Sequence, residues 1–158
     1  MKRIMFVCHG NICRSPMAEF VFKKLVRDRG REDDFFVLSA ATHTDEIRNG
    51  VGSHIYPPAR EQLVSHSIPF DASKRAVLLK KEDYAKFDLF VCMDDENVYS
   101  MRRIFGNVSP EKCRKLMSFT GESRDVSDPW YTRDFDRAYS DILKGCKALL
   151  DYLTEEKK

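Results

Sequence analysis

The 158-residue sequence contains no apolar run long enough to cross a membrane. The first three residues are followed by only four or five apolar ones, which is too few for a secretory signal peptide. The formal net charge is only +2, so there is little electrostatic reason to expect a nucleic acid or an anionic membrane as a partner. These absences predict a cytoplasmic protein that binds neither, and they leave its oligomeric state open.

Cysteine and histidine are too scattered for a metal site or a disulfide framework. The five cysteines are an odd number, which in a chain without a signal peptide indicates reduced thiols. No two of them have the spacing of zinc ligands, and the four histidines add no such spacing. The sequence therefore gives no reason to expect a metal or another cofactor. The cysteines are Cys8, Cys13, Cys92, Cys113 and Cys146.

Repeats, low-complexity tracts and linkers are also absent, so we expect residues 1–158 to form a single domain. Short apolar runs alternate with segments of helical spacing. This alternation predicts an α/β fold in which a parallel sheet is covered by helices on both faces. The predicted strands are Ile4–Val7, Phe35–Leu38, Leu89–Met93 and, more weakly, Lys115–Met117.

Capping residues and apolar spacing also predict the helices. Ser15 can cap the first helix, with Pro16 at its first position. The last helix is the clearest, because a long apolar stripe follows the capping residue Asp134. Shorter helices are predicted over Pro58–His66, Glu82–Phe87 and Glu96–Phe105, and polar loops over Thr42–Pro57 and Thr120–Arg133.

Right-handed connections between parallel strands place every strand-to-helix loop at the carboxyl edge of the sheet. Ligands bind at that edge, where the strand order reverses. We therefore expect the loops 8–14, 39–57 and 94–95 to meet there with the loop that carries Asp128.

Residues 7 to 16 read VCHGNICRSP and form a tight loop over the start of the first helix. Successive backbone N–H groups in such a loop point inward and bind anions, and the helix dipole adds to this. Gly10 allows close backbone approach, and Asn11 tolerates a left-handed conformation. Arg14 offers a planar fork of donors that matches two phosphate oxygens. The loop is therefore predicted to bind phosphate.

Cys8 lies at the mouth of this electropositive loop, which would stabilise its thiolate. A thiolate that faces a bound phosphoryl group can carry out covalent phosphoryl transfer, and Ser15 could donate a hydrogen bond to the sulfur. A cysteine that ends a strand is otherwise a core residue, and C-x5-R alone occurs by chance in many chains. The combination of strand, glycine loop, arginine and capped helix favours a phosphate site.

A second candidate group lies in the segment DVSDPWY, near the end of the second polar loop. Departure of an alkoxide or phenolate needs a proton, which a carboxylic acid on a rim loop can supply. Asp128 precedes Pro129, which holds it extended, although Asp-Pro is also common in surface turns. Trp130 and Tyr131 offer flat aromatic faces beside the acid, which would suit an aromatic substrate.

Three motifs together resemble the low-molecular-weight protein tyrosine phosphatases. They are V-C-x-G-N-x-C-R-S-P near the N-terminus, C-M-D after the third strand and D-P-[WY]-Y before the last helix. The match spans essentially the whole chain. It implies a four-stranded parallel sheet in the order 2-1-3-4, with the phosphate-binding loop after strand 1. It also implies hydrolysis of phosphotyrosine in proteins without a metal.

The resemblance implies a role for each motif residue. Cys8 would be the nucleophile that becomes phosphocysteine, and Arg14 would bind phosphate and stabilise the transition state. Asp128 would protonate the leaving tyrosine and then activate water. Contacts to phosphate or substrate are implied for His9, Gly10, Asn11, Ile12, Cys13, Ser15, Trp130 and Tyr131, and structural support for Asp94.

Two departures from the family pattern concern the pocket. Family members often carry a histidine near positions 72 or 73 that supports the loop asparagine. This chain reads Asp-Ala-Ser-Lys-Arg from Asp71, so the support must come from Ser73 or elsewhere. The aromatic wall often found after the second strand is replaced by Arg48, which we expect to line the pocket.

Three other functions remain open on the sequence. Arsenate reductases share the loop but relay a disulfide through closely spaced downstream cysteines, whereas Cys92 and Cys113 are far apart. A phosphocarrier module would not need the Asp128-Pro129 pair. A phosphoarginine phosphatase would need a polar partner at the pocket floor, where we expect Ile12.

Overall fold

The computed structural model describes residues 1–155. Its strands are β1 (Lys2–Cys8), β2 (Phe35–Ala41), β3 (Ile47–Arg48), β4 (Val51–Gly52), β5 (Leu89–Cys92) and β6 (Cys113–Lys115). Its α-helices are α1 (Arg14–Asp28), α2 (Pro57–Ser65), α3 (Asp83–Lys86), α4 (Asp95–Phe105), α5 (Pro129–Thr132) and α6 (Phe135–Thr154). Short 3-10 helices cover Glu32–Asp34 and Leu116–Thr120.

Four of these strands form one parallel sheet in the order β2-β1-β5-β6. The predicted α/β fold and the order of its four sheet strands are confirmed. The strand labels differ from the expected 2-1-3-4 only because a short antiparallel hairpin, β3–β4, comes between β2 and β5 in the chain. That hairpin lies inside the segment predicted as a polar loop, and each of its strands is two residues long.

The core lies on both faces of the sheet because successive residues of β1 point to opposite sides. Ile4 and Phe6 pack in a cluster with α1, α2 and α6. Met5 and Val7 pack on the other face with residues of α4, among them Met101. The continuous apolar run of β1 is thus the pattern of a strand buried on both sides. Because β1 lies between β2 and β5 in the sheet, its last residue lies near the centre of the carboxyl edge.

Several element boundaries differ from the predicted ones. The last sheet strand lies at Cys113–Lys115, two residues before the predicted position, because Leu116–Thr120 turns into a 3-10 helix. The second polar loop contains the single-turn helix α5. Ser15 does not cap α1, since the helix begins at Arg14 and the preceding residue makes no side-chain cap. The hydroxyl group of Ser15 is directed instead to the nucleophile candidate.

Among the helices of residues 1–155, none is long and apolar enough to cross a membrane. Within the same residues, no group of three or more His, Cys, Asp and Glu side chains is placed to hold a metal ion.

Candidate active site

A cavity of about 340 Å³ opens at the carboxyl edge of the sheet. The loop after β1 forms its floor, and the loops before α4 and α5 form two of its walls. It brings together most of the residues predicted from the three motifs, which lie far apart in the chain. These are Cys8, His9, Gly10, Asn11, Ile12, Cys13, Arg14, Asp94, Asp128, Trp130 and Tyr131.

Cys8 is the last residue of β1, and its sulfur lies beneath the loop that follows. The backbone N–H groups of Asn11 and Ser15 point at Cys8 Sγ, at 3.3 and 3.4 Å from nitrogen to sulfur. Ser15 Oγ lies 3.0 Å from the same sulfur atom. The loop can close this tightly because Asn11 adopts a left-handed backbone with φ of 59°. The sulfur is thus surrounded by groups that stabilise a thiolate.

The side chain of Asn11 stabilises the shape of this loop through hydrogen bonds. Its Nδ2 donates to Ser15 Oγ at 2.7 Å and to Ser39 Oγ at 3.0 Å. Its Oδ1 accepts from Lys74 Nζ at 2.9 Å and from the Val77 backbone N–H at 3.1 Å. All four hydrogen-bonding positions of the amide are therefore occupied. This offsets the cost of a left-handed conformation at a residue other than glycine.

The support for Asn11 comes from Lys74 and not from Ser73, the residue named as a candidate from the sequence. Ser73 donates its hydroxyl and its backbone N–H to Asp71, at 2.7 and 2.9 Å. It is exposed and forms a local turn. The longer lysine side chain, one position further on, reaches the loop instead.

Arg14 is buried, with 4% of its surface exposed, and its guanidinium lies beside two carboxylates. Nη2 donates to Asp94 Oδ2 at 2.9 Å and to Asp128 Oδ2 at 3.4 Å, and Nη1 donates to the Val126 carbonyl at 3.1 Å. Burial by itself would lower the pKa of Arg14, but the charges of Cys8 and these carboxylates outweigh it and the pKa is raised. Arg14 therefore stays positive in the cavity.

Asp94 connects Arg14 to the start of α4. Its Oδ1 accepts from the Asn97 backbone N–H at 2.8 Å, and Asn97 Oδ1 accepts from the Asp94 N–H at 3.2 Å. This capping box fixes the carboxylate at the helix terminus. Asp94 thus contacts the guanidinium of Arg14 from the N-terminus of α4.

Asp128 caps α5 and faces the cavity. Its Oδ1 accepts from the Trp130 backbone N–H at 3.0 Å, which turns Oδ2 toward Arg14. The aromatic side chains after it are exposed, by 56% at Trp130 and 82% at Tyr131, and both border the cavity. Trp130 packs on one side against Tyr56, with ring centroids 5.5 Å apart.

Two predicted site residues lie outside the cavity lining. Ser15 is beneath it and contacts the sulfur of Cys8. Arg48, expected in the pocket wall, lies exposed on β3 and does not line the cavity, so that expectation is wrong. Arg48 belongs to the hairpin β3–β4, and two acidic residues that precede it, Asp45 and Glu46, line the cavity instead.

Sequence reasoning missed three acidic residues of the rim, Asp45, Glu46 and Glu96. They belong to no motif, and only the folding of the loop after β2 brings Asp45 and Glu46 to the cavity. The sequence offered a signal for Glu96 alone, because this residue lies two positions after the predicted support residue Asp94. His9 also contacts this wall, because its Nε2 lies 2.8 Å from Asp45 Oδ2.

The chain is similar to known phosphatases over almost its whole length. The family model for low molecular weight phosphotyrosine protein phosphatase matches residues 3–158. The low molecular weight phosphotyrosine protein phosphatase of Rattus norvegicus is 36% identical over 159 residues, which cover 95% of this chain and 94% of that protein.

Solved structures give the same result. YfkJ from Bacillus subtilis superposes with a TM-score of 0.89 at 33% identity, covering 100% of this chain and 98% of that one. SP-PTP, a low molecular weight protein tyrosine phosphatase from Streptococcus pyogenes, superposes with a TM-score of 0.86 at 34% identity, covering 99% and 95%.

Proposed function

The chain belongs to the low molecular weight phosphotyrosine protein phosphatases, hydrolases that act on phosphoproteins, and from this we propose how its own residues perform the reaction. Cys8 is the nucleophile, Arg14 and the loop amides bind the phosphoryl group, and Asp128 is the general acid and base. The observation that carries this proposal is the position of Cys8 Sγ, which lies under converging donors in the same cavity as Arg14 and Asp128.

In the first step the phosphate oxygens contact the loop N–H groups and the guanidinium of Arg14. The Cys8 thiolate attacks phosphorus, and the bond from phosphorus to the tyrosine oxygen breaks. Asp128 gives its proton to the departing oxygen, so tyrosine leaves as a neutral phenol. The products of this step are a phosphocysteine and a carboxylate at Asp128.

In the second step the Asp128 carboxylate takes a proton from a water molecule. The water oxygen attacks phosphorus, the bond from sulfur to phosphorus breaks, and the Cys8 thiolate is restored with release of inorganic phosphate. Arg14 and the loop amides stabilise the charge on the equatorial oxygens in both transition states. The positive charge comes from the chain itself, and no residue of the proposed mechanism requires a metal.

Phosphotyrosine-containing proteins are the substrates we propose. The nearly buried side chain of Ile12 lies in the cavity lining, with exposed Trp130 and Tyr131 on another side. A flat phenol ring can pack against these apolar and aromatic groups. Ile12 gives a guanidinium no hydrogen bond at the floor of the cavity, which favours phosphotyrosine over phosphoarginine.

A disulfide relay through downstream cysteines, as in an arsenate reductase, is not supported by Cys92 or Cys113. Cys92 is fully buried, and burial raises the pKa of its thiol. Burial likewise raises the pKa of Cys113, to about 11. Neither thiol lines the cavity. A phosphocarrier role, in turn, leaves the position of Asp128 beside Arg14 without a purpose.

We also propose that the whole chain forms one catalytic domain that works in the cytoplasm. The family model covers nearly all of it. All five cysteines are free thiols, and a thiol nucleophile needs a reducing compartment to stay active.

The test is hydrolysis of a phosphotyrosine peptide by the wild type and by Cys8→Ser. We expect turnover to be lost in Cys8→Ser while phosphate still binds, because Arg14 and the amides remain. Mass spectrometry of wild-type protein quenched during turnover should find phosphate on Cys8. Cys113→Ser, the same change away from the cavity, should keep turnover. Activity of Cys8→Ser near that of the wild type would exclude the covalent mechanism.

A further inference from the structure

Lys74 lies in the segment between α2 and α3 and reaches under the phosphate-binding loop. Its Nζ donates to Asn11 Oδ1 at 2.9 Å, to the Arg75 carbonyl at 3.1 Å and to the Ser39 carbonyl at 3.3 Å. These contacts use all three donors of the ammonium group. No part of the mechanism above assigns Lys74 a task.

A continuous line of hydrogen bonds leads from Lys74 to the nucleophile. The Asn11 amide receives the lysine on Oδ1 and donates from Nδ2 to Ser15 Oγ. Cys8 Sγ lies 3.0 Å from Ser15 Oγ, to which the protonated thiol donates. Once Cys8 is a thiolate the direction reverses, and the Ser15 hydroxyl, which accepts from Asn11, can donate its own hydrogen to the sulfur. An ammonium group can only donate, so it holds the amide in the orientation that makes Ser15 a donor to the sulfur.

The same network contains charged groups that face Lys74 from α1. Ser39 Oγ donates to Glu19 Oε1 at 2.6 Å, and Lys23 Nζ donates to Glu19 Oε2 at 2.6 Å. Burial lowers the pKa of Lys74, Lys23 lowers it further, and the charges of Glu19 and Cys8 act in the opposite direction. A cation at this depth is stabilised by the negative charge of a thiolate, and it stabilises that thiolate in return.

We propose that Lys74 is a positioning residue for the nucleophile, which orients Asn11 and Ser15 toward Cys8 and supplies positive charge beneath the thiolate. The inference rests on the proposed role of Cys8. Arg14 contacts the phosphoryl group from the cavity, whereas Lys74 acts from below the loop and never meets the substrate.

The test compares Lys74→Met, which keeps the length of the side chain but loses the charge and the donors, with Lys74→Arg, which keeps both. Two quantities are measured: kcat and KM on a phosphotyrosine peptide, and the pH dependence of Cys8 alkylation by iodoacetamide. We expect Lys74→Met to lower kcat about tenfold or more with a smaller change in KM. Its alkylation midpoint should move up by about half a pH unit or more. Lys74→Arg should lie closer to the wild type in both.

Arg14 and Cys13 also interact with the charge of Cys8, Asp128 lines the same cavity, and all three are unchanged in these variants. Lys81→Met is the matched control, because Lys81 is an exposed lysine of the same segment, and it should behave as the wild type. If Lys74→Met does not fold, Lys74→Gln takes its place in the same comparison.

An unchanged alkylation midpoint would overturn the proposal even if activity fell, because a merely structural role would not involve the thiolate. Unchanged kcat would overturn it as well. Neither outcome affects the proposed function, which fails only if Cys8→Ser retains turnover.

Discussion

The carboxylate of Asp128 is held by two contacts of different kinds. Oδ1 accepts from the backbone of α5, and Oδ2 lies 3.4 Å from Arg14 Nη2. The backbone contact fixes the direction of the side chain, and the guanidinium places it where the phosphoryl group is proposed to bind. Replacing Asp128 by asparagine changes the shape of the side chain little but removes the acidic proton. The substitution therefore tests the proposed proton transfer.

Asp128→Asn should lower kcat by about 10²–10⁴ for an aryl phosphate whose phenol leaves poorly. The amide still accepts from Trp130 but has no acidic proton to give. The loss should shrink for a leaving group of low pKa, which departs without a proton. Steady-state kinetics on a series of aryl phosphates measures this. An equal loss across the series would contradict the assignment of Asp128 as the acid.

The proposed preference for phosphotyrosine can be tested at Ile12, which lies on the floor of the cavity. Its side chain is 8% exposed and offers a guanidinium no partner, and unpaired buried N–H groups cost about 1–3 kcal/mol. We expect kcat/KM for phosphotyrosine to exceed that for phosphoarginine by about tenfold or more, and Ile12→Thr to narrow the ratio. Both substrates are measured on both proteins. A preference of the wild type for phosphoarginine, or an unchanged ratio in the variant, would refute this account.

At the scale of elements, the loop that leads to Asp128 is tied to β6 and α4 by one lysine. Lys115, at the end of β6, contacts Asp95 Oδ1 at 3.0 Å and Asp125 Oδ1 at 2.9 Å. A second tie is made by Arg124, which donates to both carboxylate oxygens of Asp141 on α6 at 3.0 Å. The loop is therefore fixed to two faces of the sheet before it reaches Asp128.

Lys115→Met should lower kcat by several-fold, roughly threefold to tenfold, and leave KM nearly unchanged. The reason is that the acid loses part of its anchoring while the phosphate-binding loop keeps all of its own. Lys147→Met, an exposed lysine on α6, serves as the control. Kinetics at saturating and limiting substrate separate the two constants. A rise in KM without a fall in kcat would show that the lysine affects binding and not the acid.

At the scale of the whole molecule, a stacked pair of histidines beside the cavity makes the stability of the fold depend on pH. The rings of His9 and His43 stack with centroids 4.1 Å apart. Burial lowers the pKa of His43, and the positive charges of His9 and Arg103 lower it further. Asp45 and Glu96 act in the opposite direction but do not balance these effects. Protonation of His43 is therefore less favourable in the folded chain than in the unfolded one.

The free energy of unfolding should consequently fall as the pH drops below the ordinary His43 value of 6.5. In that range the unfolded chain binds more protons than the folded one, so stability is present above 6.5 and is lost as the pH falls toward the lowered value. Denaturant unfolding of the wild type and His43→Gln between about pH 5 and pH 7 measures this. The variant should show a shallower slope, and the exposed His54→Gln should not. Equal slopes for His43→Gln and the wild type would contradict the prediction.

The fold and the centre of the site were predictable because their signals are local. The apolar run before Cys8, the motif around Arg14 and the Asp-Pro pair at Asp128 are each contiguous in the chain. Parallel topology then requires these three segments to meet at one edge. The hairpin β3–β4 was missed because two strands of two residues leave no periodicity to detect.

The sequence by itself predicted the nucleophile, its phosphate-binding loop and the acid, because each prediction depends on residues within a few positions of one another. Only the tertiary structure decided what surrounds them. In the structure, Asp45 and Glu46 line the pocket wall where Arg48 was expected. Lys74, and not Ser73, contacts Asn11 from below. Lys74 and Asn11 are 63 residues apart in the chain, and Asp45 is 36 residues from its contact His9. The geometry of these contacts depends on side-chain reach and on the path of loops. Neither the reach of a side chain nor the path of a loop can be predicted from residue spacing along the chain.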